Sequence, residues 1–250
     1  PEAVEEVAKL LGRAKMPLLI TANGGRTVES SRAIAQFVEA FAIPTIHYRP
    51  RHLALSTEHP MHCGWDPHAL LKEADLVLVV DCDVPWIPKE GGPRSDAKVV
   101  HIGPDPLFAR YPLRGFRTDL ALTGMSAPTL ASLAEKTKKH LSSDVETRRR
   151  IVEERSSQTR SKARGGADAV PAAITGKYLS ACINKVLGDS LLVNEYPIVL
   201  EEMTNKEPGR YFGNTAAGGL GWGMGAAAGA KLPPPDKTVV WALGGGSYKF

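Results

Sequence analysis

Five consecutive apolar residues, Leu76-Val77-Leu78-Val79-Val80, constrain this chain more than any other stretch. A run without polar alternation fits a strand buried on both faces, and such strands belong to parallel sheets covered by helices. The run ends at Asp81, where open α/β sheets place functional loops. Pro17–Thr21 and Lys98–Ile102 read the same way, with further strands at Pro44–Tyr48 and Asp119–Thr123. Helical spacing of Val4, Val7, Ala8 and Leu11 predicts a helix over Glu2–Arg13, with Pro1 near its start. Ala33, Ile34, Phe37, Val38 and Phe41 predict another over Ser30–Phe41. A loop at 49–66, a short helix at Pro67–Glu73 and a helix from about Ser126 complete the pattern. Strand–helix alternation of this kind specifies an α/β class with a Rossmann-like parallel sheet.

The character changes at 135–164, where ten Lys/Arg face five Asp/Glu. The formal net charge of +4 therefore sits in one local segment, which ends in Gly165-Gly166 and reads as a solvated connector, helical or partly disordered. It carries no Phe, Tyr or Trp for stacking on bases, so no nucleic-acid partner is expected. A second α/β pattern follows, with a helix at Ile174–Leu187, a strand at Ser190–Asn194 and a helix around Leu200–Met203. The break Pro233-Pro234-Pro235 and the strand Thr238–Leu243 close it. The expected division is 1–140, a charged linker at 141–169, and 170–250. The last part stops just after a strand and reads as cut short, and the missing initiator Met reads as numbering from inside a longer protein.

No stretch reaches the roughly 18–20 apolar residues that span a bilayer, and the charged amphipathic N-terminus is no signal peptide. Cys63, Cys82 and Cys182 lie far apart with no CxxC, which fits a reducing compartment, the cytoplasm with an organelle left open. His52, His59, His62 and His68 lack a metal-helix spacing and read as a surface loop. Asp81-Cys82-Asp83 reads as a strand-end cap, and no GxSxG nucleophile elbow occurs.

Two glycine-rich stretches carry the functional signal. Ala217-Gly218-Gly219-Leu220-Gly221-Trp222-Gly223-Met224-Gly225, followed by Ala226–Ala230, fits either a tightly packed small-residue helix or close approach to a ligand. The strand Thr238–Leu243 runs into Gly244-Gly245-Gly246-Ser247, whose backbone N–H groups could cradle a diphosphate or form a plain turn. It is neither a Walker A loop nor a GxGxxG fingerprint.

Taken in order, these stretches, with Pro208–Phe212 and Pro235–Val240, resemble the thiamine-diphosphate-binding domain of the acetolactate synthase / benzoylformate decarboxylase family. Upstream, Ala14–Ile20, Ala42–Thr45, Glu58-His59-Pro60, Ala74–Val80 and Val100–Pro106 resemble that family's central domain. The resemblance implies a thiamine-diphosphate-dependent 2-oxo-acid decarboxylase or carboligase lineage, with Mg²⁺, a small 2-oxo acid substrate and a homo-oligomer. By position, Gly218, with Gly219 beside it, would offer its carbonyl to the aminopyrimidine, and Leu220 would bend the cofactor. Asn194 and Glu195 would open the family's diphosphate-contacting loop, which continues here as Tyr196-Pro197-Ile198, while Gly244, Gly245 and Gly246 would lie at the cofactor and Ser247 would touch the diphosphate. Where the family has Gly-Asp-Gly with a metal-ligating Asp, this chain has Gly245, so no metal ligand is assigned here. The family's catalytic Glu belongs to a pyrimidine-binding domain outside these residues, so no catalytic residue is assigned either. Asp83–Pro93 lacks an arginine-rich FAD pattern, and FAD is not expected. The chain is accordingly expected to be inactive alone. The alternatives are a non-catalytic interaction or oligomerisation module, a degenerate fragment of that family, or a nucleotide-binding protein using the Rossmann-like half.

Overall fold

The computed structural model describes residues 2–142, 144–164, 170–205, 207–214, 217–232 and 236–250. Pro1, Gly165-Gly166 and the triple proline at 233–235 lie outside the described residues. Five parallel strands form the first sheet: β1 (Pro17–Thr21), β2 (Thr45–His47), β3 (Leu76–Val80), β4 (Lys98–Gly103) and β5 (Leu120–Thr123). Their order is β2-β1-β3-β4-β5. β1 pairs with β3 from Pro17–Leu76 through Thr21–Val80, and every residue of both strands is buried, as their unbroken apolar runs require.

Helices α1 (Glu2–Arg13), α2 (Val28–Phe41) and α4 (Ser126–Lys138) pack together over this sheet, with a single turn α3 (His68–Leu71) elsewhere. α1 buries Val4, Val7, Ala8 and Leu11, the stripe its spacing predicts. α2 starts two residues before the expected Ser30, because Thr27 Oγ1 accepts the Ser30 N–H at 3.1 Å and caps the helix.

The charged segment is a 19-residue helix, α5 (Val145–Ala163), and it is docked rather than solvated. Its buried stripe is Arg148, Val152 and Ser156, spaced four residues apart along one face. The Arg148 guanidinium donates to the carbonyls of Phe41 (2.6 Å), Ala42 (3.2 Å), Ala14 (3.0 Å) and Lys15 (3.4 Å). Those carbonyls lie at the exits of α2 and α1, where helix-end oxygens lack intrahelical donors. Ser156 Oγ donates to the His62 carbonyl at 2.6 Å.

This docking also corrects the surface histidine loop. His62 is buried beneath α5, His59 and His68 are largely covered, and Arg160 reaches the His59 carbonyl at 3.4 Å. No group of three possible metal-ligating side chains occurs among the described residues. His47 is fully buried, and its Nε2 accepts the N–H groups of Ala54 (3.0 Å) and Leu55 (3.2 Å). It is therefore a neutral imidazole carrying its proton on Nδ1.

The second sheet is β7 (Tyr211–Gly213), β6 (Leu191–Asn194) and β8 (Val239–Ala242), in that order and all parallel. Helix α6 (Gly176–Leu187), capped by Thr175, precedes β6, and a 3₁₀ turn occupies Leu200–Glu202 where a longer helix was expected. Helix α7 (Trp222–Lys231) follows β7. The loop at 49–66 fastens this unit to the first. Gly213 N–H donates to the Arg51 carbonyl at 2.9 Å, and any side chain at Gly213 would overlap the Pro50 carbonyl. Thr57 and Asn205 exchange hydrogen bonds, with N–H to carbonyl at 2.9 Å one way and N–H to Oγ1 at 2.9 Å the other. Leu53 leaves the first core to pack with Leu192, Met203 and Tyr211 in the second.

Two measurements follow from this packing. Arg148→Met keeps the length but orphans the carbonyls, so urea unfolding is expected to lose about 2–3 kcal/mol. Arg149→Met removes an exposed contact to the Glu39 carbonyl and a surface ion pair with Glu146, and is expected to change stability by under about 0.5 kcal/mol. Burial holds His47 well below its ordinary pKa and, with Arg160 nearby, holds His62 down to about 4. The unfolded chain therefore binds protons first on acidification. The stabilisation is complete above about pH 6.5 and declines as pH falls below it, so urea midpoints should drop between about pH 7 and pH 5. A flat midpoint over that range would contradict the buried neutral histidines.

Candidate active site

Because β6, β7 and β8 run parallel, their carboxyl ends meet at one edge, the edge that receives ligands in open α/β sheets. Asn194-Glu195 leaves β6 there, and Leu243-Gly244-Gly245-Gly246 leaves β8 beside it. The two exits are tied by backbone: the Glu195 and Tyr196 N–H groups both donate to the Ala242 carbonyl, at 2.9 and 3.2 Å. The Tyr196–Pro197 peptide is cis.

Glu195 is the centre of this edge. Its Oε1 accepts the Gly221 N–H at 2.8 Å and its Oε2 accepts the Gly223 N–H at 2.9 Å. The carboxylate thus caps α7, whose cap residue Gly221 is left-handed at φ 82°. A glycine takes that conformation without steric cost. The Ser247 hydroxyl and the Trp241 indole also face the carboxylate. Burial raises the carboxyl pKa, but the Gly221 and Gly223 N–H groups with Ser247 and Trp241 outweigh it and leave Glu195 below its ordinary value. Any side chain at Gly223 would overlap Trp241 Nε1 and Glu195 Oε2.

Asn194 is committed locally. Its Nδ2 donates to the Tyr211 hydroxyl at 3.2 Å, and its Oδ1 accepts the Ile198 N–H at 3.3 Å. Burial pushes the Tyr211 phenol up to about 12, so it stays protonated. Gly218 and Gly219 lie on the exposed loop before α7, and Leu220 there is 61% exposed. Nothing lies within 4 Å of a side chain built at Gly218, Gly219, Gly245 or Gly246. Gly245 is not in the left-handed region either, so neither conformation nor space requires a glycine there.

The sequence-derived residues therefore divide. Asn194, Glu195, Gly244 and Ser247 converge at the ends of β6 and β8, and Gly245 and Gly246 present open backbone beside them. Gly218, Gly219 and Leu220 join only through the Gly221–Gly223 turn that Glu195 holds. Gly221, Gly223 and Trp241 were missed as site residues. The two glycines sit in the quoted run and reveal their role only once Glu195 is placed against them, and nothing in a strand sequence distinguishes Trp241 from a packing residue. Ala226–Ala230 is helical as read but not tightly packed: within α7 only Gly223 is buried.

The open glycine backbone fits a phosphorylated group, since backbone N–H groups hold phosphate and need close approach. A bridging Mg²⁺ fits less well. It needs hard oxygen ligands, the Gly245 side chain supplies none, and both Glu195 oxygens already accept N–H groups of α7.

In the first unit, a cavity of about 210 Å³ opens at the carboxyl ends of β1 and β3, where the strand order reverses. Asn23, Arg26, Asp81 and Ser126 line it. Asp81, raised above its ordinary pKa by burial, accepts the Ser126 hydroxyl at 2.5 Å. Asp83 takes Arg51 on both oxygens, at 3.1 and 2.9 Å. The Asp81-Cys82-Asp83 stretch thus cross-links neighbouring elements, as a strand-end cap does.

The contrast between two glycines is directly measurable. Gly223→Ala should cost about 1–3 kcal/mol in thermal or urea unfolding, through overlap with Trp241 and Glu195. Gly245→Ala should change it by under about 0.5 kcal/mol.

The profile of the thiamine pyrophosphate enzyme central domain matches residues 4–133, and that of the C-terminal TPP binding domain matches residues 195–250. Benzoylformate decarboxylase of Pseudomonas aeruginosa is 26% identical over 266 aligned residues, covering all of this chain and 47% of that protein. 2-Hydroxyacyl-CoA lyase 1 of Dictyostelium discoideum is 31% identical over 84 residues, 34% of this chain and 14% of that one. The solved thiamine diphosphate-dependent 4-hydroxybenzoylformate decarboxylase of Rhodococcus jostii superposes with a TM-score of 0.70 at 23% identity, over 99% of this chain and 46% of that one. The chain thus spans about half the length of the benzoylformate decarboxylase it matches, or less for the lyase. With both profiles matched in chain order, and with the glycine-rich elements gathered at one sheet edge, the chain belongs to the thiamine pyrophosphate enzyme family.

Proposed function

We propose that this chain contributes the central and diphosphate-binding parts of a thiamine-diphosphate-dependent 2-oxo-acid decarboxylase or carboligase. The observation that carries the reading is the open glycine backbone of Gly245 and Gly246 beside the Glu195-capped turn, in the part matched to the TPP binding domain. Bound thiamine diphosphate supplies an electron sink for breaking or making a carbon–carbon bond next to a carbonyl. The protein's part is to bind and orient it. In this reading Gly244–Gly246 give N–H groups to the diphosphate, the Gly218 carbonyl accepts from the aminopyrimidine, and Leu220 presses on the cofactor from one side. The 61% exposure of Leu220 supports that last role, because its side chain is left free for a ligand. Its relatives' names point to 2-oxo acids or acyl-CoA compounds, and a small 2-oxo acid is the substrate class proposed here. No described helix is long and apolar enough to cross a membrane, and the free thiols of Cys63, Cys82 and Cys182 suit the reducing cytoplasmic setting that belongs to this reading.

A second reading is an interaction module that assembles with copies of itself. Exposed Met224, Tyr248 and Phe250, on and beside α7, favour it. The two readings are compatible at the level of assembly and part at cofactor binding.

Titration calorimetry separates them. Thiamine diphosphate is expected to bind, with Mg²⁺ changing the affinity by less than about threefold, since Gly245 brings no side-chain carboxylate. Gly245→Asp places a carboxylate in open space, and Mg²⁺ should then tighten binding by about tenfold or more. No release of CO₂ from benzoylformate is expected from the wild-type chain alone. Absence of any thiamine diphosphate binding would favour the module, and turnover by the isolated chain would overturn the view that its catalytic groups lie elsewhere.

A further inference from the structure

The resemblance makes Glu195 a residue that touches the cofactor, yet both oxygens of its carboxylate are already hydrogen-bonded within the fold. Both oxygens are held by the Gly221 and Gly223 N–H groups, and the Ser247 hydroxyl and Trp241 indole crowd the same charge. A helix N-terminus is where a free phosphate would otherwise settle. Here a side chain of the protein already supplies the anion, and a diphosphate approaching α7 would meet a like charge at short range. The neighbouring exit from β8 differs: Gly245 and Gly246 face open space.

We infer that Glu195 is a positioning residue whose carboxylate serves as the built-in anion of α7, fixing the turn from which Gly218 and Leu220 project and steering the diphosphate to the Gly244–Ser247 loop. This rests on the thiamine-diphosphate reading above. Three elements meet at this one group. Glu195 sits at the end of β6, its backbone N–H is bonded to Ala242 at the end of β8, and its side chain holds the first turn of α7. Removing the carboxylate leaves a hole lined by two N–H donors, an indole and a hydroxyl, the size of a small carboxylate. The glycines before α7 then lose the tether that sets their direction.

Hydrogen exchange read by mass spectrometry on the full 250-residue chain tests this. In Glu195→Ala, peptides over 218–224 and 241–247 should exchange roughly tenfold faster than in the wild type, while peptides within 4–133 stay unchanged. Sodium formate should slow the variant's peptides toward wild-type rates and leave the wild type unmoved, against sodium chloride at equal ionic strength. Equal exchange in variant and wild type, or formate acting on both alike, overturns the inference. Should Glu195→Ala unfold the whole of 170–250, Glu195→Gln decides, because it keeps the volume and one acceptor. Faster exchange confined to 218–224 and 241–247 in that variant supports the role, and unchanged exchange there overturns it. Calorimetry adds the functional arm: thiamine diphosphate should bind Glu195→Gln at least about tenfold more weakly than wild type. Equal affinities overturn the positioning role. A wild type that binds no thiamine diphosphate counts against the proposed function, and the exchange result then decides Glu195 on its own.

Discussion

One carboxylate organises the cofactor end of this chain. Glu195 leaves β6, accepts two N–H groups at the start of α7 and draws in Ser247 and Trp241 from the β8 side. A negative charge at a helix N-terminus is favourable, and here it is also buried, so its hydrogen bonds count for more than at the surface. The local sequence follows from that arrangement. Gly221 must be left-handed for the chain to enter the helix over the carboxylate, and Gly223 has no room for a side chain between Glu195 and Trp241. Gly245 has neither constraint, which makes its lack of a carboxylate a chemical feature of the site rather than a structural necessity.

The rest of the fold brings that edge into place. A doubly covered parallel sheet carries the first unit, and its loop at 49–66 provides the seat for the second. Gly213 against Pro50, the Thr57–Asn205 exchange and Leu53 in the second core make that seat specific. Helix α5 is docked on the first unit through Arg148, which takes up helix-end carbonyls that would otherwise be buried without donors. These are polar interactions on a shared backbone, so the junction is set by hydrogen-bond geometry as much as by apolar area.

How much of this could be read beforehand depended on whether a residue acts through its side-chain type or through its partners. The strands Leu76–Val80 and Pro17–Thr21 announced themselves by unbroken apolar runs, and α1 by its stripe. The family resemblance placed the glycine loops and the cofactor class, and both family profiles agree with it. The docking of α5 escaped because its buried stripe contains an arginine and a serine, which look solvent-facing until carbonyls are found for them. His62 escaped for the related reason that burial under α5 depends on a helix nearly a hundred residues away. Asn194 and Glu195 were singled out by the resemblance alone, and their partners, Tyr211, Gly221 and Gly223, follow only from the folded backbone.

The central claim is that Glu195 keeps the α7 N-terminus for itself and leaves the β8 loop to the diphosphate. A ¹H–¹⁵N correlation spectrum of the chain, recorded while thiamine diphosphate is added, reads both places at once. The account predicts that the Gly244, Gly245, Gly246 and Ser247 amides shift while those of Gly221 and Gly223 keep their carboxylate-bonded positions. Shifts at Gly221 and Gly223 with the Gly244–Ser247 amides unmoved would mean that the cofactor displaces Glu195, and would contradict it.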